Sequence, residues 1–278
     1  MSYVVLASFL CAGSIVAGFL GALTGLGGGV VIIPLMTLAL GIDIRYAIGA
    51  SLISVIATSS GAAAAYVREG FTNIRIGMFL EVATTLGAVA GAVIAGHVST
   101  AVIAVIFGLV LFSSGLQTFR ATHDIAGAAV SSPAAVRLRL PGHYPEGGGW
   151  QAYGVTGVGP GFALMVVAGG LSGLLGIGSG AVKVLAMDRI MRIPFKVSTT
   201  TSNFMIGVTA AASAGIYVGR GYVVPELAMP VMLGVLGGSL LGSRVLVVAH
   251  SRILRRVFAW VIIILALEMI YNGLAGKL

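Results

Sequence analysis

The chain has 278 residues, of which 58% are hydrophobic and only 9% are charged, and its mean hydropathy is +1.07. Soluble domains carry about 25% charged residues, so this composition excludes an ordinary soluble protein and predicts an integral membrane protein. The formal charge of +8 would suggest nucleic-acid binding in a soluble chain, whereas in a membrane protein basic loops account for it. The expected partner is therefore the lipid bilayer and not nucleic acid.

Apolar runs predict five membrane segments in each half of the chain, judged against a span of about 20 residues. The first run begins at the N-terminus, where MSYVVLASFL lacks the basic region of a signal peptide and so predicts a retained helix. In chain order the runs cover residues 3–24, 28–42, 46–67, 74–96 and 98–119, then 153–175, 181–191, 197–218, 224–249 and 253–274. Period-two alternation is absent, so the predicted fold class is all-α.

A polar stretch at residues 121–150 separates the two halves. It is rich in Pro, Gly and charged residues, which favours a mobile linker over a membrane segment. The predicted organisation is a first transmembrane repeat at 1–120, a cytoplasmic linker at 121–152 and a second transmembrane repeat at 153–278.

The two halves align with each other without a gap. Gly25 and Gly176 lie 151 positions apart (176 − 25), and the same separation relates residues as far as the fourth segments. The further pairs are Gly27 with Gly178, Gly29 with Gly180, Ser51 with Ser202, Thr58 with Thr209, Tyr66 with Tyr217, Gly87 with Gly238 and Gly91 with Gly242. One offset held over this length predicts an internal duplication.

Basic residues predict how the two repeats lie in the membrane. If the linker is cytoplasmic, most of the 16 Lys and Arg residues fall in cytoplasmic loops, and only Arg45, Arg220 and Lys277 fall outside. This distribution satisfies the positive-inside rule and places both termini outside. Because five segments is an odd number, the second repeat is inverted relative to the first. The parity is unchanged if the first two segments of each half form a re-entrant hairpin.

Each repeat contains a glycine-rich break followed by a short apolar run, GLGGG at 25–29 and GIGSG at 176–180. Inverted repeats with interrupted helices are typical of secondary transporters, and the free amides of such breaks favour an anion. Close helix packing is the alternative, which we favour for Gly87, Gly91, Gly238 and Gly242. Two breaks in register favour a binding site that contains Gly27, Gly28, Gly29, Gly178, Ser179 and Gly180.

The motifs GLGGGVVIIP with AIGASL, and GIGSGAVKVLAM with VSTTTSNF, resemble the paired signatures of the TauE/SafE family of membrane permeases, the sulfite exporter family. The resemblance spans both halves, roughly residues 18–119 and 169–270, and leaves the linker unmatched. It implies a carrier for sulfite or another sulfur-containing anion, such as an organosulfonate. The chain departs from the usual pattern at Ser179, where a third glycine is common, and at Leu185, where the first half keeps Pro34.

Lys183 is the first candidate for an anion ligand. It lies three residues beyond Gly180, inside the second short run. A lone cation at membrane depth costs about 2.5 kcal/mol or more unless it pairs or faces water. The alternative is a structural pair with Asp188, although a spacing of five residues places the two side chains poorly on one helix face.

Hydroxyl and amide side chains near the breaks could complete the site. Sulfur oxoanions present several acceptor oxygens, which suit short donors that converge with backbone N–H groups. The candidates beside the breaks are Ser51, Thr201, Ser202 and Asn203, with Thr58 and Thr209 ranked below them. The alternative is that these hydroxyls bond to their own helix.

These features predict a secondary transporter that exports a small sulfur-containing anion. Export runs down the membrane potential, so uniport could suffice; if a proton is used, Glu81 is the candidate for coupling, ahead of Glu268. The alternatives are a passive anion channel, a carrier that imports a different small anion and an assembly partner without transport. The sequence shows no nucleophile with a base and no HExxH or CxxC spacing, so we expect no enzyme, metal site or cofactor.

Overall fold

The computed structural model describes residues 3–24, 28–68, 70–120, 130–146, 149–248 and 251–277. This part of the chain is mainly α-helical, as the all-α prediction requires. The elements are α1 (Tyr3–Thr24), α2 (Gly29–Pro34), α3 (Ile44–Arg68), α4 (Ile74–Ala95), α5 (Thr100–Arg120), α6 (Pro133–Arg137), β1 (Gly142–Glu146), β2 (Gly149–Tyr153), α7 (Val158–Leu175), α8 (Gly180–Leu185), α9 (Phe195–Gly219), α10 (Pro225–Val248) and α11 (Ser251–Leu274).

The short helices α2 and α8 each continue into a π-helical turn, over Leu35–Ala39 and Ala186–Ile190. The same kind of backbone bond follows each turn, from the Ile42 N–H to the Met36 carbonyl and from the Ile193 N–H to the Met187 carbonyl. These bonds lie 151 positions apart (187 − 36), which is the separation found in the sequence. The local geometry of the two halves therefore supports the predicted duplication.

Helices of the two halves pair in a pattern that is unchanged when the halves are exchanged. In the predicted repeat, α7 corresponds to α1 and α10 corresponds to α4. Helix α1 packs on α10, and helix α7 packs on α4 in the same way. Helix α3 packs on its own counterpart α9, and α5 packs on its own counterpart α11. The core of the bundle is thus built from contacts between the halves.

Both pairs of counterpart helices are antiparallel. Gly49, near the start of α3, lies against the Tyr222 carbonyl, which follows the end of α9. At the other end of this pair, the Thr200 hydroxyl near the start of α9 donates to the carbonyl of Phe71, which follows α3. In the second pair, Gly273 at the end of α11 lies against the start of α5.

Glycine seams hold α4 against α7 and α1 against α10. A Cβ atom at Gly87 would lie 2.0 Å from the Val166 carbonyl oxygen, and one at Gly238 would lie 2.0 Å from the Ile15 carbonyl oxygen. No side chain fits these gaps, so the backbones are in contact, as in the small-residue seams of membrane helices. The packing role is confirmed for Gly87, Gly91 and Gly238, while the surroundings of Gly242 lie outside the described part.

The outer surface of the helices is apolar. On α4 the side chains of Met78, Val82 and Leu86, four residues apart, are between 57% and 63% exposed. Lipid, not water, is the solvent that such a surface requires. Among the described residues, three helices are long and apolar enough to cross a membrane: Ile74–Ala95, Thr100–Gln117 and Val158–Leu175. The chain is therefore a membrane protein.

The second part of the predicted linker has regular structure, which corrects the expectation of a mobile segment for residues 130–146 and 149–152. Ser132 caps α6, and Pro133 occupies its first turn, a position that suits proline. Strands β1 and β2 form an antiparallel hairpin whose Tyr144 and Tyr153 are buried in an apolar cluster with Leu80 of α4. This apolar contact holds the segment against one end of the bundle.

Helix α7 begins at Val158 and not at residue 153, where the predicted run starts. Gly157 has a left-handed backbone, with φ of +57°, and a Cβ atom there would lie 2.5 Å from the Ile190 carbonyl oxygen. The Thr156 N–H also donates to the Met191 carbonyl. Residues 153–157 are thus held in hairpin and loop contacts, which delay the helix by about one turn.

Candidate functional site

The second glycine break has a left-handed backbone. The φ values of Gly176, Gly178 and Ser179 are +66°, +71° and +42°. Glycine adopts this region without strain, whereas a residue with a Cβ pays about 1–2 kcal/mol. The Ser179 hydroxyl donates a hydrogen bond to the Ala168 carbonyl of α7, which helps to offset that cost.

The first break meets the second at Ser51 of α3. The Ser51 hydroxyl donates to the Gly176 carbonyl at 2.8 Å, and a Cβ atom at Gly29 would lie 2.3 Å from Ser51 Oγ. Only glycine leaves room for this contact at position 29. Gly28 precedes α2 and is buried, while Gly25, Leu26 and Gly27 lie outside the described residues. The structure thus brings together the two breaks that the repeat pairs.

The polar side chains near the start of α9 face different neighbours. Ser202 is 1% exposed, and its hydroxyl lies 3.4 Å from the Gly180 carbonyl at the start of α8. Thr201 instead accepts a hydrogen bond from the Asn73 N–H at 3.1 Å, towards α4. Asn203 is half-buried. Of these predicted residues, Ser202 is the one that reaches the break.

Lys183 is completely buried, with 0% exposure, in a polar cluster formed by three helices. Its Nζ donates to Thr209 Oγ1 of α9 at 2.6 Å. Thr209 Oγ1 lies 2.8 Å from Glu81 Oε1 of α4, and the Thr85 hydroxyl donates to the same carboxylate oxygen at 3.2 Å. One hydroxyl therefore bridges a cation and a carboxylate from the two halves of the chain. We call Lys183, Thr209 and Glu81 the bridged cluster.

The bridged cluster joins the predicted anion ligand to the predicted coupling residue. Glu81 is 7% exposed, and its Oε2 atom has no hydrogen-bond partner among the described residues. A lone charge in such an interior is costly, so the two charges stabilise each other. The predicted alternative, an ion pair of Lys183 with Asp188, is not among the ion pairs of the described residues, in which the Asp188 carboxylate contacts Arg189 at 3.5 Å.

A small cavity borders the second break on another face of α8. Its lining residues are Val30, Val110, Ser114, Ile177, Ser179, Gly180 and Val182. Its volume is about 10 Å³, close to the least that holds one water molecule, so a sulfur oxoanion does not fit.

Thr209, which the sequence ranks below the residues beside the breaks, is the residue that joins Lys183 to Glu81. Thr209 lies seven residues after Ser202, so the two hydroxyls project from the same face of α9. This spacing of seven residues is the sequence signal that places Thr209 on the same helix face as Ser202. Among the residues that the structure describes, no group of His, Cys, Asp or Glu is placed to hold a metal ion.

Asn73 is a second residue that sequence reasoning missed. Its Oδ1 atom accepts from the Ile76 N–H and so caps α4. Its Nδ2 atom donates to the Leu140 carbonyl at 3.0 Å and to Tyr153 Oη at 2.7 Å. Burial raises the pKa of the Tyr153 phenol, against a smaller opposing effect of the Asn73 hydrogen bond, so the phenol stays neutral. An Asn directly before an apolar run is a helix-cap signal that could have identified this residue.

Comparison with known proteins gives a consistent result. The sequence profile described as "Sulfite exporter TauE/SafE" matches residues 10–269. The chain is similar to the probable membrane transporter protein YunE of Bacillus subtilis, with 26% identity over 99% of both chains. It is also similar to the probable membrane transporter protein YdhB of Bacillus subtilis, with 26% identity over 87% of this chain and 88% of that one. A probable membrane transporter protein of Xylella fastidiosa is 25% identical over 93% of both chains. No solved structure matches the chain.

Proposed function

Because this chain belongs to the TauE/SafE sulfite exporter family and is a membrane transporter, we propose that it exports a small sulfur-containing anion across the cytoplasmic membrane. Sulfite and organosulfonates are the expected substrates. The proposed mechanism is that of a secondary transporter, in which the anion binds between the two halves and the halves open alternately to each side.

The observation that carries this proposal is the complete burial of Lys183 between α4, α8 and α9. A cation in these surroundings is weakly screened and attracts an anion strongly. An ammonium group has three N–H donors, and in the described part of the chain one of them is used, by Thr209. Glu81 lies one hydroxyl away and not in direct contact, so substrate oxygens can approach Nζ without first breaking an ion pair.

The proposed site extends from the bridged cluster to the glycine breaks. Ser51 and Ser202 support this extension, because each hydroxyl lies against a carbonyl of the second break and could turn to a substrate oxygen. The full set that we propose is Gly27, Gly28, Gly29, Ser51, Gly178, Ser179, Gly180, Lys183, Thr201, Ser202 and Asn203, with Glu81 in the coupling role.

We also propose ten segments in two inverted five-segment repeats, with both termini outside and a cytoplasmic linker. The antiparallel pairs α3 with α9 and α5 with α11 support this topology. Counterpart helices run parallel when the axis relating them follows the membrane normal, and antiparallel when that axis lies in the membrane plane. Lys196 lies in a basic loop that the positive-inside rule places in the cytoplasm. Its ion pair with Glu146 of the hairpin, at 3.8 Å, supports placing the linker on the same side.

Flux of labelled sulfite into proteoliposomes tests the proposal, with the wild type compared with Lys183→Met. Met keeps the side-chain length and removes the charge. We expect saturable flux in the wild type and a loss of about tenfold or more in the variant, since a hydrogen bond to a charged group contributes about 1.5–3 kcal/mol. Trans-stimulation by unlabelled sulfite separates a carrier from a channel, and sulfoacetate, thiosulfate and sulfate as competitors rank the substrates.

The matched control is Ile32→Met, which places the same side chain at the position related to Lys183 by the repeat (183 − 151). This swap conserves volume, so we expect flux close to that of the wild type. Unchanged flux in Lys183→Met would remove Lys183 from the site. Absence of flux for all four anions in the wild type would contradict transport of a sulfur-containing anion.

A further inference from the structure

The bridged cluster holds one formal positive and one formal negative charge, and its other described polar neighbours are the hydroxyls of Thr84 and Thr85. Lys183 and Glu81 are 0% and 7% exposed, so water screens neither charge well. A buried group of this kind is tolerated when its charges sum to zero and becomes costly when one charge is left over. An anion that binds Lys183 brings a second negative charge into this group.

In the described part of the chain, Lys183 is the charged group that faces Glu81. Thr84 and Thr85 are the polar neighbours on its own helix, and α9 contributes Thr209. Helix α7, which packs along α4, contains no titratable residue. The charge state of Glu81 therefore depends on Lys183 and on any anion bound to it.

The Thr209 hydroxyl has two close acceptors for its single hydrogen, besides the more distant Thr84 Oγ1 at 3.4 Å. Glu81 Oε1 lies at 2.8 Å and the Met205 carbonyl oxygen at 2.9 Å from Thr209 Oγ1. When Glu81 is ionised, the hydroxyl donates to the carboxylate and completes the bridge to Lys183. When Glu81 is protonated, the hydroxyl can turn to Met205 by rotation about one bond. The cluster thus has two hydrogen-bonded states that differ by one proton on Glu81.

We propose that Glu81 is the internal counter-ion of Lys183, that a transported anion replaces it in this role, and that each anion therefore crosses the membrane together with one proton. This coupling rests on the proposed function. In the empty state the Glu81 carboxylate neutralises Lys183 through Thr209. When a monovalent anion binds Lys183, Glu81 takes a proton from water on the open side, at Oε2, the oxygen without a hydrogen-bond partner among the described residues. Release on the other side returns the proton to water.

Charge balance follows directly from this exchange. The cluster is neutral when empty, with Lys183 positive and Glu81 negative, and neutral when loaded, with Lys183 positive, the anion negative and Glu81 uncharged. Movement of a monovalent anion is then electroneutral. Its direction is set by the sum of the anion and proton gradients and not by the membrane potential, so export requires an outward anion gradient that exceeds any opposing pH gradient.

Measurement of the charge that accompanies each sulfite tests the coupling. Proteoliposomes with equal pH on both sides are clamped at a series of potentials with potassium and valinomycin. The slope of the logarithm of the steady-state sulfite accumulation ratio against potential gives the net charge per sulfur, and electroneutral movement gives a slope of zero. Glu81→Gln mimics the permanently protonated carboxyl group, so we expect it to move one more negative charge per sulfur than the wild type. The comparison holds whichever protonation state of sulfite is transported. Equal charge per sulfur in the two proteins would overturn the proposal.

The matched control is Glu268→Gln, the same chemical change at an exposed position of α11. We expect Glu268→Gln to move the same net charge per sulfur as the wild type. If Glu81→Gln supports no flux, infrared difference spectroscopy of the purified wild type decides the question. Addition of sulfite should produce the carbonyl stretch of a protonated carboxyl group, in a spectral region where sulfite does not absorb. The band should persist in Glu268→Gln and be absent from Glu81→Gln.

The two proposals fail in different ways. Saturable, Lys183-dependent sulfite flux with no protonated-carboxyl band in the wild type would overturn the proton coupling and leave anion transport standing. Absence of wild-type sulfite flux and binding would overturn the proposed function, and the coupling with it.

Discussion

The bridged cluster and the equivalent place in the first half are built on the same frame but differ in chemistry. The positions related to Lys183, Thr209 and Glu81 by 151 residues are Ile32, Thr58 and Met232. Ile32 is completely buried in the apolar core. Thr58 has its hydroxyl turned back to carbonyls of its own helix, at 3.0 and 3.2 Å. Packing is therefore duplicated, whereas the buried charges are present in one copy.

This difference indicates what the charges are for. A frame that is stable with Ile and Met in one copy does not need Lys and Glu in the other for folding. Buried charges add little stability over apolar residues of similar volume. Their presence in one half of the proposed repeat therefore supports the proposed ligand site over a packing role.

The largest expected effect comes from converting the cluster to its apolar counterpart. Lys183→Met and Glu81→Met should each cost about 3–5 kcal/mol, because each leaves one buried charge unpaired. The double variant removes both charges, so we expect its thermal unfolding midpoint in detergent to lie at or above that of the wild type. Additive losses in the double variant would show that the two residues do not stabilise each other.

The glycine seams test the part of the comparison in which the halves are alike. Gly87→Ala and Gly238→Ala each place a Cβ atom 2.0 Å from a carbonyl oxygen of the neighbouring helix. We expect similar losses for both, about 1–3 kcal/mol, measured as the shift in unfolding midpoint. Gly215→Ala is the control, since nothing lies within 4 Å of its added Cβ, and a helical Gly→Ala change there should stabilise slightly. Losses confined to one seam would contradict equal packing.

Much of the helical framework could be predicted from the sequence, because the length of an apolar run and the position of a glycine break can be recognised from neighbouring residues alone. Residues 3–24 form α1 as predicted, and the run 74–96 differs from α4 (Ile74–Ala95) by one residue. The predicted start of α7 was wrong, because the true start depends on a contact between Gly157 and Ile190 that no local pattern reveals.

The candidate site could be predicted only in parts. Lys183 was singled out because a cation in an apolar run is unusual, and Glu81 for the same reason. Their connection through Thr209 joins residues 128 positions apart on α4 and α9, and nothing in either segment encodes it. The hairpin was missed because Tyr144 and Tyr153 are buried by helices far away in the chain.

Thr209 and Thr58 offer a matched pair for the role of the bridging hydroxyl. Thr209→Val keeps the shape and removes the group that joins Lys183 to Glu81. We expect sulfite flux to fall about tenfold or more, on the scale of a charged hydrogen bond. Thr58→Val removes a hydroxyl that bonds only to its own helix, so flux should stay within about twofold. Thr209→Ser should restore flux; failure of this rescue would indicate a steric role for Thr209.

The smallest effect concerns the serines that the repeat places beside the breaks. Ser51 donates to Gly176 at 2.8 Å, whereas Ser202 lies 3.4 Å from the Gly180 carbonyl, a distance at which a hydrogen bond is weak. Ser51→Ala should therefore lower the free energy of unfolding by about 1 kcal/mol, and Ser202→Ala should lower it by less. Sulfite affinity should show the reverse order if Ser202 binds substrate, since its hydroxyl is the less committed of the two. Equal effects of both variants on stability and on affinity would mean that the breaks, unlike the bridged cluster, are symmetric in function as well as in frame.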